Sequence, residues 1–103
     1  MDIGATINRL RKEQKLSQSE LAKAASITQT SLSQIENGVN RPNQKTLDAI
    51  CKKLGIAEPL LNILSLEEDD VPEEKKLIFN TLYPLIKEMM TKLFKEGDSK
   101  LLD

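Results

Sequence analysis

The densest hydrogen-bonding chemistry in the sequence lies in an uncharged stretch, residues 24–35, although 30% of the whole chain is charged. From Thr28 to Gln34 every residue except Leu32 carries a hydroxyl or an amide. An ordinary solvent-facing helix carries Lys and Glu instead, because they form helices well and keep the surface soluble. A neutral surface rich in donors and acceptors is suited to hydrogen bonding with another polar surface.

Catalytic chemistry is poorly represented in the rest of the chain. There is no His, which is both the commonest general acid–base and the commonest metal ligand. The acidic run from Glu67 to Asp70 lacks the ligand spacing of a calcium loop and indicates a solvated linker. The single Cys51 falls in the apolar stripe of a predicted helix, which indicates a core residue. We therefore predict that the protein is not an enzyme and holds no metal and no cofactor.

Apolar residues recur at helical spacing throughout the chain, and no segment alternates in the manner of a strand. Ser17 and Glu20 have the spacing of a capping box, and Thr28 and Asn43 are N-cap residues for two further helices. Five short helices are therefore predicted to form a compact unit by residue 66. Their predicted bounds are about 4–14, 18–25, 29–37 and 44–54, with the fifth beginning near Pro59.

One further helical segment follows the compact unit. Residues 67–72 are an acidic linker by composition, residues 73–96 carry a broad apolar stripe, and residues 97–103 indicate a frayed tail. Pro84 lies inside the stripe and predicts either a kink or a split in the helix. The stripe is a candidate dimer interface or, alternatively, a surface that packs on the chain's own domain. The candidate dimer residues are Phe79, Leu82, Ile86, Met89, Met90 and Leu93.

The uncharged stretch separates into two faces on a helical wheel. Leu32 and Ile35 point toward the core. The outward half holds Gln29, Thr30, Ser33 and Gln34. Glu36 lies beside Leu32, near the buried face, where a carboxylate is costly unless it is paired. Arg11, at the end of the first helix, is the predicted partner.

Two tightly joined helices, the second with an outward neutral face, form a helix-turn-helix. The stretch QSELAKAASITQTSLSQIENGVNRPNQKTL resembles the lambda-repressor-like (Xre/Cro-type) DNA-binding family, and the resemblance covers about residues 3–66. Ser26 is a departure, because this family usually has Gly in the turn. The motifs that carry the resemblance are Gln18 opening the second helix, Ala22 at the tight helix contact, Leu32 and Ile35 in the core, Glu36 before Asn37-Gly38, and Arg41-Pro42.

The resemblance implies an all-α fold, with a five-helix DNA-binding domain in residues 1–66 and a C-terminal helical extension. It also implies a structural ion pair between Arg11 and Glu36, and double-stranded DNA read by the third helix in the major groove. Amides and hydroxyls suit base edges better than Lys, which mostly finds phosphates. The predicted base-contacting residues are therefore Gln29, Thr30, Ser33 and Gln34.

Phosphate contacts are expected at the edges of this surface, where the family makes them. Each candidate has an alternative role as a helix cap or a solvated loop residue. Thr28 is primarily a cap, and Asn43 can be a cap, a contact or both. The predicted phosphate-contacting residues are Ser17, Gln18, Thr28, Asn37, Asn40, Arg41, Asn43, Gln44 and Lys45.

The predicted function is a sequence-specific transcriptional regulator, a homodimeric repressor that binds a palindromic operator. The alternative is an antitoxin or another protein-interaction module, in which residues 67–103 bind a toxin or a different partner protein. The two parts differ in net charge, which is +3 for residues 1–66 and −4 for residues 67–103. No stretch approaches the roughly 18 apolar residues of a membrane span, and the N-terminus lacks the apolar region of a signal peptide. With the single cysteine, these features predict a cytoplasmic protein without membrane contact.

Overall fold

The computed structural model describes residues 1–94, which form six α-helices. Two 3₁₀ turns, Glu68–Asp70 and Glu73–Lys75, connect the fifth helix to the sixth. Residues 1–94 contain no β-strand, so the predicted all-α fold of five short helices with a C-terminal helical extension is confirmed. The bounds are α1 Ile3–Glu13, α2 Gln18–Ala24, α3 Gln29–Glu36, α4 Gln44–Leu54, α5 Glu58–Leu64 and α6 Lys76–Phe94.

Side-chain caps start three of the helices at the predicted positions. Ser17 Oγ accepts from the backbone N–H of Glu20, and the Glu20 carboxylate accepts from the backbone N–H of Ser17, both at 3.0 Å. Thr28 caps α3 and Asn43 caps α4 through the backbone N–H three residues further on, at 3.0 and 2.8 Å. Each cap of this kind stabilises its helix by about 1 kcal/mol. The caps therefore fix where α2, α3 and α4 begin.

The first five helices share one aliphatic core. Cys51 of α4 is buried in it, and burial, with the charges of Glu58 and Asp48, raises the pKa of its thiol to about 11. The thiol therefore stays protonated at neutral pH, as a core residue would. The fully buried side chains are Ile7, Leu21, Leu32, Ile50, Leu60 and Leu61.

The start of α1 lies directly against the end of α3. A Cβ atom added at Gly4 would lie 2.1 Å from the carbonyl oxygen of Ile35 and 3.1 Å from that of Glu36. Both neighbours are backbone atoms, which cannot swing away as a side chain can. Gly4 therefore allows the two helices to approach at a distance that no other residue permits.

The turn between α2 and α3 is tight and contains a residue in a left-handed conformation. Ser26 has φ of +57°, and the next residue, Ile27, donates its N–H to the Ala22 carbonyl at 3.0 Å. A non-glycine residue adopts this conformation at a cost of about 1 kcal/mol. Ser26 thus occupies the position where the family's Gly would be favoured, and the turn still forms.

The α6 helix continues through Pro84 from Lys76 to Phe94, so the predicted alternative in which it splits in two is wrong. Pro84 removes one backbone hydrogen bond from α6. Contacts with α5 hold α6 in place beside that helix. The Tyr83 hydroxyl donates to the Ile63 carbonyl, and the N–H of Ala57 donates to the Phe94 carbonyl at 3.3 Å. These two contacts lie at opposite ends of α5, which shows that α5 and α6 run antiparallel.

The α6 helix has two apolar faces. On one, Met90 packs against the core and Phe79 stacks on Tyr83 with ring centroids 4.6 Å apart. The other face is exposed and contains the remaining four candidate dimer residues, Leu82, Ile86, Met89 and Leu93. The tail predicted at 97–103 lies outside the described residues. None of the helices within residues 1–94 combines the length and apolar character of a membrane span.

Candidate nucleic-acid interface

The outward face of α3 holds the four predicted base-contacting residues. Gln29, Thr30 and Gln34 are exposed, and Ser33 is half-buried. Together with Gln18 from the start of α2, they line a concavity of about 310 Å³. Leu32 and Ile35 on the opposite side are buried. The structure thus brings all four residues to one uncharged surface between two helices.

Side chains outside α3 contact both of its outward glutamines. Ser19 Oγ of α2 donates to Gln29 Oε1 at 2.9 Å, and Asn40 Nδ2 of the following loop donates to Gln34 Oε1 at 2.6 Å. The loop itself folds back onto α3, because the backbone N–H groups of Val39 and Asn40 donate to the Gln34 carbonyl at 2.9 and 3.3 Å. The side chains of these two glutamines are therefore held against α2 and the loop that follows α3.

Glu36 lies at the centre of a buried hydrogen-bond network beneath this surface. Arg11 donates to both of its carboxylate oxygens, Nε to Oε2 at 2.8 Å and a terminal nitrogen to Oε1 at 3.1 Å. Asn8 and Gln18 donate to Oε1 at 2.7 and 3.0 Å. A second terminal nitrogen of Arg11 donates to the Leu16 carbonyl at 2.8 Å. The network joins α1, the α1–α2 connection, the start of α2 and the end of α3.

The environment of Glu36 favours its charged form. Burial by itself raises the pKa of this carboxyl, but the hydrogen bonds from Arg11, Gln18 and Asn8 outweigh it, so the pKa lies below its ordinary value. The Glu36 side chain is 1% exposed and that of Arg11 is 9% exposed. A buried pair with this many satisfied donors tolerates its own desolvation. It holds the two helices of the motif in a fixed relation to α1.

The predicted phosphate contacts near the helix starts already have structural partners. Ser17, Thr28 and Asn43 accept capping hydrogen bonds, which leaves their hydroxyl or amide hydrogens for an external oxygen. Gln18 gives one amide hydrogen to Glu36 and keeps a second. Capping and phosphate binding are therefore compatible at these four positions.

The remaining predicted phosphate contacts differ in their surroundings. The Gln44 amide nitrogen donates to Asp48 Oδ1 at 2.7 Å and to the Glu58 carboxylate at 3.2 Å. Two carboxylates beside it disfavour a phosphate, so Gln44 is the least suited member of the set. Four others are exposed in the loop and at the start of α4, namely Asn37, Asn40, Arg41 and Lys45.

Two residues of this region were not predicted from the sequence. Asn8 precedes Arg11 by three residues, so it lies on the same face of α1, and that spacing is a signal that could have found it. Ser19 has no comparable signal, because its contact with Gln29 depends on how α2 and α3 cross. Both lie next to predicted residues and complete their hydrogen bonds.

A helix-turn-helix family model matches residues 7–61, more than half of the chain, and spans α2, the turn and α3. The chain belongs to the helix-turn-helix family. The lambda-repressor-like resemblance inferred from the sequence is thereby confirmed. In this helix-turn-helix protein, α2 is the first helix of the motif and α3 the second.

Two relatives of this helix-turn-helix protein come from Bacillus phage phi105. The ImmF control region 10 kDa protein is 43% identical over 72 residues, which cover 70% of this chain and 77% of that protein. The Immunity repressor protein is 39% identical over 56 residues, which cover 54% of this chain and 39% of that protein. Together with the family match, these relatives identify the chain as a DNA-binding transcriptional regulator.

The chain is also similar to an antitoxin and to a solved structure of a gene regulator. Antitoxin PezA of Streptococcus pneumoniae is 38% identical over 55 residues, which cover 53% of this chain and 35% of that protein. The crystal structure of the clp gene regulator ClgR from Corynebacterium glutamicum superposes with a TM-score of 0.61 over 85% of this chain and 86% of that one. At 19% identity, the second likeness establishes a shared fold.

Proposed function

We propose that this regulator is a homodimeric repressor that reads an inverted repeat in double-stranded DNA through α3. The observation that carries the proposal is the uncharged, exposed surface of Gln29, Thr30, Ser33 and Gln34 beside the start of α2. In this proposal residues 1–66 bind DNA, residues 67–72 are an acidic linker, and residues 73–96 dimerise. The two phage relatives support an immunity or control role.

The chemistry of α3 matches the base edges of the major groove. A Gln amide can pair with N6 and N7 of adenine, a Thr methyl can contact the methyl of thymine, and a Ser hydroxyl can donate or accept. Gln29 and Thr30 lie in the first turn of α3, the end that enters the groove most deeply in a helix-turn-helix. We therefore assign base reading to these two residues. Ser33 and Gln34, which lie one turn further on, are assigned the same role.

Residues around α3 would fix its register on the duplex. The exposed Asn40, Arg41 and Lys45 follow α3 and lead into α4, where they can contact phosphates on one side. The free hydroxyl hydrogen of Ser17 and the second amide hydrogen of Gln18 can do so on the other. Such contacts give affinity and orientation without sequence preference. Affinity and specificity then come from different side chains.

We predict that Gln29→Ala and Lys45→Ala weaken binding in different ways. Gln29→Ala should relax the preference at one base position by about 1–3 kcal/mol, because it removes a base contact. Lys45→Ala should weaken binding to all sequences alike and reduce the slope of log affinity against log salt by about 1, because it removes a phosphate contact. Anisotropy titrations against operator and unrelated duplexes at several salt concentrations measure both. Equal effects from the two variants would rule out the division of roles.

The exposed face of α6 supports dimerisation with a second copy. Six large aliphatic side chains on it are between 42% and 65% exposed. Monomeric proteins rarely expose a large contiguous apolar patch, and such patches often mark an interaction surface. Two such stripes packed about a two-fold axis would present two α3 helices to half-sites about 34 Å apart. The stripe consists of Ile78, Leu82, Leu85, Ile86, Met89 and Leu93.

We predict that Leu82→Asp combined with Met89→Asp produces monomers, because it buries two charges in the centre of the α6 interface. Sedimentation equilibrium measures the mass, and the variant should also bind its operator more weakly. Leu77→Asp is the matched control, since Leu77 is 78% exposed on the same helix but lies about 140° from Leu82 on the wheel. An unchanged mass in the double variant would exclude this face as the interface.

A second candidate function is an antitoxin in which residues 67–103 bind a toxin. The identity to Antitoxin PezA and the exposed apolar stripe of α6 both favour it. Expression of the tagged chain from its native operon, followed by purification, tests this alternative. A stoichiometric second protein that is lost from the Leu82→Asp, Met89→Asp variant would support it. Recovery of a homodimer alone would contradict it.

A further inference from the structure

We propose that a groove between α1, α5 and α6 binds a medium-chain aliphatic carboxylate. The groove has a volume of about 340 Å³ and is lined by side chains of these three helices and by Ile56, which precedes α5. Sites for small molecules usually measure about 300–1,000 Å³, so this groove is at the small end of the range. It shares no residue with the surface assigned to DNA, and the inference therefore goes beyond the proposed function.

The floor of the groove is aliphatic. Leu10, Ile56 and Leu60 line it and belong to the shared core, where they are between 0% and 6% exposed. Leu64 of α5, which is half-buried, and the ring of Pro84 of α6 extend this lining. A proline also has no backbone N–H that a ligand would have to satisfy. An alkyl chain on this floor would therefore remove apolar surface from water on both partners.

The rim of the groove has an excess of one positive charge. It carries three cations and two carboxylates. Both carboxylates already have a cation, since Arg9 lies 3.2 Å from Glu13 and Lys92 lies 3.5 Å from Glu88. Lys87, the third cation, has no carboxylate within 4.0 Å in the described part of the chain. The groove therefore matches a ligand with an apolar body and a single negative charge.

Two of these cations lie near the same aromatic ring. Lys87 Nζ is 5.4 Å from the centroid of the Tyr83 ring. Burial raises the pKa of the Tyr83 hydroxyl, and the positive charge of Arg9 opposes that rise, so Arg9 is also close to this side chain. Arg9 uses one terminal nitrogen for Glu13 and keeps other N–H donors. A carboxylate at this end of the groove can thus accept charge-assisted hydrogen bonds from both cations.

The groove lies on the side of α6 that faces away from its exposed apolar stripe. Pro84 and Thr91 line the groove and lie about 160° and 180° from Leu82 on the helical wheel. A second copy packed on the stripe would therefore leave the groove open. Between these two groove residues α6 rises by about 10 Å, which is comparable to the extended length of octanoate. The bound anion would link Arg9 of α1 to Lys87 of α6.

Titration of the isotope-labelled full chain with sodium octanoate, followed by nuclear magnetic resonance, tests the proposal. We expect saturable chemical-shift changes, and nuclear Overhauser contacts from the octanoate methylenes to the methyl groups of Leu10 and Leu64. Hexanoate should bind more weakly and decanoate more tightly, by about fourfold for each methylene, which corresponds to about 0.8 kcal/mol.

The double variant Arg9→Gln, Lys87→Gln separates the charge from the apolar floor. It should weaken octanoate binding about three- to tenfold, because both cations are lost. Its affinity for octanol, which has the same chain length without the charge, should match that of the wild type. Lys12→Gln is the matched control, since Lys12 is exposed on α1 but does not line the groove, and its Kd for octanoate should be unchanged.

Several results would overturn the proposal. Contacts from octanoate to Leu82 and Met89 would assign its binding to the exposed stripe instead. Equal octanoate affinity in the double variant and the wild type would exclude the cation pair, and absence of saturable binding would exclude the site. Contacts between the groove and a second copy, or another segment of the chain, in the ligand-free protein would show that the groove is already occupied. Selection of duplexes from random DNA tests the proposed function separately.

Discussion

Replacing Glu36 with Ala is expected to lower the free energy of unfolding by about 3–5 kcal/mol, because it leaves the charge of Arg11 buried without a partner. Asn8 and Gln18 also lose the oxygen to which they donate. The total stability of a domain is about 5–15 kcal/mol, so this loss removes a large part of it. Urea unfolding followed by circular dichroism measures the change.

The matched control is Glu13→Ala, which removes the same charge from an exposed ion pair. Glu13 pairs with Arg9 at 3.2 Å on the surface of α1, where such pairs contribute at most about 1 kcal/mol. The combined variant Arg11→Met, Glu36→Leu should recover much of the stability, because it replaces the buried pair with apolar side chains. A Glu36→Ala variant that is no less stable than Glu13→Ala would contradict the structural role of the network.

The depressed pKa of Glu36 also predicts an acid dependence of stability. Its ordinary value is 4.5 and the folded state lies below it, so the unfolded chain binds the proton first as the pH falls. The stabilisation by Glu36 is therefore complete above the unfolded pKa and is lost as the pH drops through the folded pKa. Glu36→Gln should lose this component, and its stability should change less than that of the wild type below about pH 4.5.

Replacing Gly4 with Ala is expected to cost about 3 kcal/mol, the upper range for overpacking, because the added methyl would lie 2.1 Å from the backbone oxygen of Ile35. This clash can be relieved only if α1 and the end of α3 move apart. The separation would also strain the Glu36 network and tilt α3, so operator binding should weaken even where the protein remains folded. Urea unfolding and anisotropy titration under folding conditions measure the two effects.

Gly38→Ala provides a control that adds the same methyl group elsewhere. Gly38 follows α3 with φ of +76°, and an added Cβ would meet nothing within 4 Å. Its cost comes only from the left-handed backbone and should be about 1 kcal/mol. If the two Ala variants were equally stable, the close approach of α1 to α3 would not limit the residue at position 4.

The local features of the fold were accessible from the sequence because they depend on neighbours along the chain. Ser17, Thr28 and Asn43 are caps in the structure because each is a short polar residue just before an apolar helical stripe. The continuity of α6 was not accessible. It depends on contacts that Tyr83 and Phe94 make with α5, and the local penalty of Pro84 gives no sign of them.

The candidate site shows the same difference between features set along one helix and contacts between elements. The wheel position of Glu36 predicts a buried carboxylate that needs a cation, and the structure has Arg11 Nε at 2.8 Å from it. The wheel also assigns the four outward residues of α3 to one face. It does not supply the contacts that orient them, because the bonds from Ser19 and Asn40 depend on how α2 and the following loop pack beside α3.

In the proposed function, these contacts would allow an uncharged surface to be specific. Leu32 and Ile35 anchor α3 in the core, the Glu36 network fixes its direction, and Ser19 and Asn40 hydrogen-bond its two glutamines. A surface of Lys and Arg would adhere to any duplex through its phosphates. Neutral side chains contribute little to such adhesion and make the energy depend on the base edges they meet.

Selection of bound duplexes from a random DNA pool tests most directly the claim that the outward face of α3 reads bases. The wild-type chain should enrich one inverted repeat whose half-sites are centred about 34 Å apart. The same selection with Gln29→Ala and Gln34→Ala combined should yield weaker or altered preferences at the positions these residues contact, with the spacing unchanged. A wild-type pool that stays random, or an identical motif from the double variant, would contradict the claim.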